Sequence, residues 1–271
     1  MGSETTRPAV DHAPRPAWRA VALPSEHGGW GLTLEPALLG LLVRPSWAGL
    51  ALGVAAFVAF LARTPLKVVL VDRRRHRWLP RSALAARILL GELALLTVLS
   101  LGALVAAGPR WLVPVGLAAP LVGLELWYDM RSRSRRLLPE LAGALGIAAV
   151  APAIVLAGGG PAALAAGSWL VLSARSVAAI PFVRVQIERL RHGTGPVSHS
   201  DLAQLVGAAL VAASVVVDPR LWLGALAVGS VLVAEVVAVR HPPRSATQLG
   251  LAQSVAGLVV VMCTAAGVWV G

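Results

Sequence analysis

Nine long apolar runs, parted by short loops rich in arginine, proline and glycine, constrain this chain more than any motif in it. They are Gly28–Val43, Trp47–Val71, Ala83–Ala107, Trp111–Tyr128, Leu137–Leu156, Ala162–Phe182, Leu202–Val217, Leu221–Val239 and Thr247–Val270. An α-helix rises about 1.5 Å per residue, so about 20 apolar residues cross ~30 Å of hydrocarbon, and most of the runs reach that length. The first and seventh are short and are expected to tilt differently, thin the bilayer or be partly re-entrant. Lipid offers no partner to backbone N–H and C=O groups, so runs of this kind have to be helices, and they lack the alternation of barrel strands. The expected fold is all-α, a polytopic transmembrane bundle of about nine spans with residues 23–271 as its single domain. Composition excludes the water-soluble alternative: 57% of residues are hydrophobic, 14% are charged and the mean hydropathy is +0.75. Soluble domains run nearer about 45–50% and about 25%.

Residues 1–22 read as a disordered cytoplasmic tail, because Glu4, Asp11 and three prolines stand where the apolar core of a signal peptide would lie. Cys263 is the single cysteine, which leaves no disulfide framework and no thiolate metal cage. The net charge is +11, and its placement matters more than its sum. Arg7, Arg15 and Arg19 precede the first run; Arg73, Arg74, Arg75, Arg77 and Arg81 follow the second; Arg131, Arg133, Arg135 and Arg136 follow the fourth. Arg189 and Arg191 follow the sixth run, and Arg240 and Arg244 the eighth. The alternate loops hold only Arg44, Arg110 and Arg220. Arginine-rich loops stay in the cytoplasm, so the N-terminus is expected inside and the C-terminus outside. Read this way, the arginines set topology and touch lipid headgroups, and no nucleic-acid partner is expected.

Ionisable residues inside apolar runs are costly, at about 2.5–3.5 kcal/mol each on insertion scales, and mark places where a partner or a wet cavity is needed. They gather in the half nearer the arginine-rich loops. Glu26, His27 and Glu35 open the first run; Arg63, Lys67 and Asp72 end the second; Arg87 and Glu92 start the third; Glu125 and Asp129 end the fourth. Arg175, Arg184 and Glu188 lie along the sixth and Glu235 ends the eighth. One polar cavity open to the cytoplasm, walled by the first, second, third, fourth and sixth runs, is the simplest arrangement. Arg63 and Lys67 are four apart and share a face, as do Arg184, Glu188 and Arg191, and such a cationic stripe suits an anion. Arg175 and Arg184, nine apart, face oppositely unless Pro181 kinks the helix. The alternative stays open that these cations neutralise Glu35, Glu92 or Glu125 and only hold the bundle together. For Glu125 and Asp129, pairing with Arg131 or Arg133 is expected ahead of cation binding.

The string PSEHGGWGLTLEP is the most unusual in the chain. Glu26 and His27 offer acid–base chemistry or ligand orientation, while Trp30 beside glycines equally suits interfacial anchoring. Glu26, His27, Trp30, Glu35, Arg63, Lys67, Asp72, Arg175, Arg184 and Glu188 are therefore the candidate ligand-binding residues. No catalytic residue is assigned. Nucleotide-binding glycine strings, HExxH and GxSxG are missing from the sequence.

The strings PSEHGGWGLTLEPALLGLL, RTPLKVVLVDRRRHRWLPRSALAAR and RSVAAIPFVRVQIERLRHG resemble the YwiC-like family of bacterial membrane proteins, over about residues 23–193. That resemblance implies a multi-pass protein of the bacterial cytoplasmic membrane. More distantly, the nine runs and the stretch DRRRHRWLPRSALAAR are similar to the UbiA superfamily of intramembrane prenyltransferases. That likeness implies a prenyl diphosphate held through magnesium by aspartate strings on the second and sixth helices. Here those places hold Arg63, Lys67, a lone Asp72, Arg175, Arg184 and Glu188, so magnesium is not supported and arginine or lysine would hold the anion directly.

Three functions follow as expectations. The protein binds an isoprenoid or another amphipathic anion from the cytoplasmic side, with UbiA-like transfer chemistry as an extension; or it moves a small anion; or it is a structural or assembly factor without a ligand. The lipid bilayer is the one partner common to all three. The topology is testable directly: a cysteine at Gly159 is expected to react with an impermeant thiol reagent from outside intact cells, and one at Ser134 only after lysis. The reverse pattern inverts the protein.

Overall fold

A computed structural model of the chain describes residues 17–23, 27–131 and 136–271. Eleven α-helices run through them: α1 Ala17–Ala22, α2 His27–Val43, α3 Trp47–Arg74, α4 Pro80–Ala107, α5 Leu112–Met130, α6 Leu137–Ala148, α7 Val150–Ala157, α8 Ala162–His192, α9 Val197–Val217, α10 Trp222–Ala238 and α11 Ala246–Val270. Each apolar run is a helix, and the fifth is the collinear pair α6–α7. Eight are long and apolar enough to cross a membrane, and a ninth, Trp30–Val43 within α2, is shorter. The protein is an integral membrane bundle.

Local chemistry sets the breaks. Pro152 has no N–H to return to the carbonyl of Ala148, and the helix stops there, with Ala149 donating instead to Gly146. Ser46 accepts from the N–H of Gly49 at 2.9 Å to start α3, and Ser245 with Gln248 forms a reciprocal cap on α11. Between α3 and α4, Asp72 closes the turn: Arg81 donates to it at 3.0 Å and the Ser82 hydroxyl at 2.7 Å.

Two expectations change. The seventh run is not a short span, because Ser198, His199, Ser200 and Asp201 continue the helix and α9 reaches 21 residues. Part of the stretch assigned to a disordered tail is also structured: α1 rests on α3 and α4, where Val21 packs with Val69 and Ala85, since a buried apolar contact offsets the ordering of one short turn.

Helix α8 is the axis of the bundle. It touches α2, α6, α7, α9, α10 and α11, and 67% of its apolar window is buried, against 11% for α4 at the rim. Leu90, Val98 and Val105 of α4 point outward, as lipid-facing residues do. Because lipid tails are as apolar as leucine, helices associate through close packing over small residues. Ile154 of α7 is fully buried between Gly40 of α2 and Gly49 of α3, and a Cβ at Gly40 would stand 2.7 Å from its own Cβ. Gly40→Val is therefore expected to cost about 1–3 kcal/mol by overpacking, read as earlier thermal unfolding in detergent. Gly91→Ala, where nothing lies within 4 Å, is expected to be neutral or better.

Candidate functional site: two polar clusters in the membrane core

The ionisable residues divide into two sets with different partners, in place of the single cavity expected from the sequence. The first follows α3. Phe57, Phe60, Arg63, Lys67, Val71 and Arg74 recur at three- and four-residue steps, which puts them on one stripe. At its deep end Trp30 of α2 packs on Phe57 and Phe60, with ring centroids 5.4 and 5.3 Å apart. One turn on, Arg63 meets Glu125 at 2.8 Å and Asp129 at 2.9 Å, and Lys67 meets Asp129 at 3.3 Å. Asp129 is buried, while Arg63 and Lys67 keep 28% and 36% of their side chains open. A notch of about 270 Å³ follows, lined by Val71, Arg74, Arg75, Met130 and Arg131.

Packing explains why Glu125 sits where it does. Gly143 of α6 faces its carboxylate, and a Cβ there would lie 2.5 Å from the carboxyl carbon. Glu140, one turn before Gly143, accepts from Arg184 of α8 at 2.9 Å. The expected pairing of Glu125 and Asp129 with Arg131 does not form, because Arg131 stacks on Trp127, 4.0 Å from its ring centroid. Arg133 lies outside the described residues.

The second set crosses the other side of the bundle. Arg175, on the buried axis, meets Glu35 of α2 at 3.0 Å and donates to the backbone carbonyl of Gln253 on α11 at 2.6 Å. The amide of Gln253 donates to Glu235 of α10 at 2.7 Å, and the amide of Gln204 on α9 donates to the other oxygen of the same carboxylate at 2.8 Å. A continuous polar chain thus runs Glu35, Arg175, Gln253, Glu235, Gln204 through five helices. Gly257 leaves the room for it, since a Cβ there would collide with Glu35 and Arg175. Beside it, among the ends of α8, α10 and α11, lies a cleft of about 380 Å³ lined by residues that include Phe182, Gln186, His241, Arg244 and Gln253.

Of the candidates named from sequence, Trp30, Arg63 and Lys67 come together in the first set, and Glu35 and Arg175 in the second. Arg184 binds Glu140 of α6 and not the set around Arg175, in keeping with the nine-residue spacing that faces the two arginines oppositely on one helix. Asp72 belongs to the α3–α4 turn, and Glu188 is exposed. Glu26 and the side chain of His27 lie outside the described residues, so their placement is not part of either set. Glu92 of α4 carries a buried carboxylate oxygen without a partner among the described residues. Sequence reasoning missed Glu140, Gln186, Gln204 and Gln253. The glutamines carry no charge and so escape a search for ionisable residues, although an amide in an apolar run needs partners as surely as an acid does.

At the arginine-poor end, Arg220 donates to both oxygens of Asp218, at 2.9 and 2.7 Å, and these bonds hold the carboxyl of Asp218 below the usual carboxylate range. Among the described residues no group of three His, Cys, Asp or Glu side chains is placed to hold a metal ion.

Compared with known proteins, residues 23–155, about half of the chain, match the family described as YwiC-like protein. The match covers α2 to α6 and most of α7, and so is shorter than the resemblance read from the sequence. No curated protein and no solved structure matches the chain.

The buried pair has a measurable consequence. Arg175→Ala leaves Glu35 without its cation and is expected to cost about 3–5 kcal/mol, seen as a large fall in the detergent melting temperature. Adding Glu35→Gln to that variant should return most of the loss. Equal melting temperatures for wild type and Arg175→Ala would remove the pair from the account of stability.

Proposed function

The chain is YwiC-like over residues 23–155, and from that premise we propose that the protein binds an amphipathic molecule with an acidic headgroup, of the isoprenoid kind, along the stripe of α3. The headgroup sits at Arg63 and Lys67, and the apolar tail lies towards Trp30, Phe57 and Phe60. The observation that carries this reading is the order of chemistry along one helix face: aromatic rings, then two half-open cations, then a notch bordered by Arg74, Arg75 and Arg131. Such an order matches a molecule whose tail prefers hydrocarbon and whose head prefers guanidinium donors. With arginine-rich loops inside, the notch opens to the cytoplasm of a bacterial inner membrane.

Occupation requires exchange of partners, since Arg63 and Lys67 already meet Glu125 and Asp129. An arriving anion competes with these carboxylates for guanidinium and ammonium donors, which tunes affinity by the difference between two sets of similar bonds. That same observation favours a second reading, in which the cluster is structural and the protein serves as an assembly factor. Transfer of an isoprenyl group would be a step beyond binding and forms no part of the proposal.

Mass spectrometry of the lipids and small molecules that copurify in mild detergent separates the two readings. The comparison is wild type against Arg63→Gln/Lys67→Gln, with Arg74→Gln/Arg131→Gln as a second variant that leaves the buried pairs alone. One acidic amphiphile enriched in wild type and depleted in both monodisperse variants is expected. Identical bulk phospholipid from all three would sink the binding reading and favour the structural one.

A further inference from the structure

Glu235 is a buried acid that neither the α3 stripe nor an ion pair uses, and two neutral amides surround it. It is 4% exposed. Its two oxygens take hydrogen bonds from neutral amides, those of Gln204 and Gln253, and among the described residues no cation pairs with it. Arg175, joined to this cluster through Gln253, is engaged by Glu35 and by the Gln253 carbonyl. The formal charges in this chain of residues are one positive and two negative when both acids are ionised. A proton on Glu235 makes the set neutral, which is the condition a low-dielectric interior favours.

The amides supply a second, independent observation. Gln204 and Gln253 each donate an N–H to the carboxylate, which leaves Oε1 of both buried and without a partner among the described residues. An ionised carboxylate only accepts, whereas a protonated one carries an O–H donor. When Glu235 takes a proton, one amide can turn about its last side-chain bond and present its oxygen to that O–H, satisfying an acceptor that is otherwise orphaned. The arrangement accommodates both protonation states of the acid without moving a helix.

The cleft stops one residue short of it. The cleft among α8, α10 and α11 has Gln253 in its wall, with His241 and Arg244 also lining it, and Gln253 is the residue that donates to Glu235. Gln186, also in the wall, donates to the Ala238 carbonyl and has its own Oε1 orphaned. On the elements packed against α10, Arg240 holds Asp201 of α9 at 3.0 Å, Arg189 of α8 donates to the carbonyls of Val239 and His241, Arg184 pairs with Glu140 and Arg220 with Asp218, while Glu188, Arg191, His192 and His199 are exposed.

We propose that Glu235 is a proton-binding site, exchanged with the arginine-rich side of the membrane through this cleft, with Gln204 and Gln253 as the amides that follow its protonation state. The proton comes from water at the cleft mouth and forms an O–H bond on the carboxylate; its release reverses that step. The proposal is independent of what binds at α3.

A hydrophobic carbodiimide reports on it, because a protonated carboxyl group in apolar surroundings gives its proton to the reagent's nitrogen and adds through oxygen to the central carbon. The full-length protein in mild detergent is treated with dicyclohexylcarbodiimide over a series from acid to alkaline pH, and adducts on Glu235, Glu35 and Glu92 are mapped separately by peptide mass spectrometry. The expected result is an adduct on Glu235 that declines several-fold as pH rises and is lost in Glu235→Gln. Gln253→Leu or Gln204→Leu, whichever elutes as wild type does, should move the pH at which the Glu235 adduct declines while that of Glu92 stays in place. Absence of the Glu235 adduct at every pH while Glu92 reacts would overturn the proposal. Protection of Glu235 by sodium at fixed pH would overturn it too, by making the site one for a metal cation.

Discussion

A guanidinium in the middle of the most buried helix has to be neutralised from within the bundle, and the contacts of Arg175 organise much of what surrounds it. Its carboxylate comes from α2 near the start of the domain, and its carbonyl from α11 at the end. The two halves of the chain are thereby bonded at one residue. Gly257 leaves the space that the ends of the two side chains occupy, and the amides of Gln253 and Gln204 extend the polar chain to α10 and α9. In water a pair of this kind would contribute little, and here losing one partner would strand a charge among apolar side chains.

The two polar sets divide the bundle by chemistry. Along α3, the cations are half open, meet carboxylates of α5 and lie beside rings and a basic notch, which is the environment that the proposed binding site draws on. Around Glu235, the groups are closed in, mostly neutral, and balanced to within a single charge, which is the environment that the proposed proton site draws on. Both lie towards the end of the bundle that carries the arginine-rich loops. At the other end Asp218 and Arg220 bond to each other, two residues apart, and stiffen a turn.

How much of this was legible in the sequence depends on the range of the force involved. The helices were legible because the bilayer imposes one answer on any long apolar run, and even the break at Ala149 has its cause three residues on, in Pro152. The shared face of Arg63 and Lys67 follows from spacing alone. Their partners do not: Asp129 is more than sixty residues away, and only the packing of α5 beside α3 gives it these cations in place of the nearby Arg131. Glu235 was visible as an acid at a helix end, but its two amides were not, since nothing in a local window says that Gln204 and Gln253 converge on it.

The pairing of Glu35 with Arg175 also bears on how the protein is made. Ribosomes deliver α2 to the membrane long before α8, so the acid enters the bilayer with its partner still unsynthesised. Until then it must linger near the interface, be shielded by the insertion machinery, or hold a proton of its own. The later arrival of Arg175 would draw α2 into its final position, and the N-terminal spans would reach their native depth only when the sixth apolar run has been threaded among them.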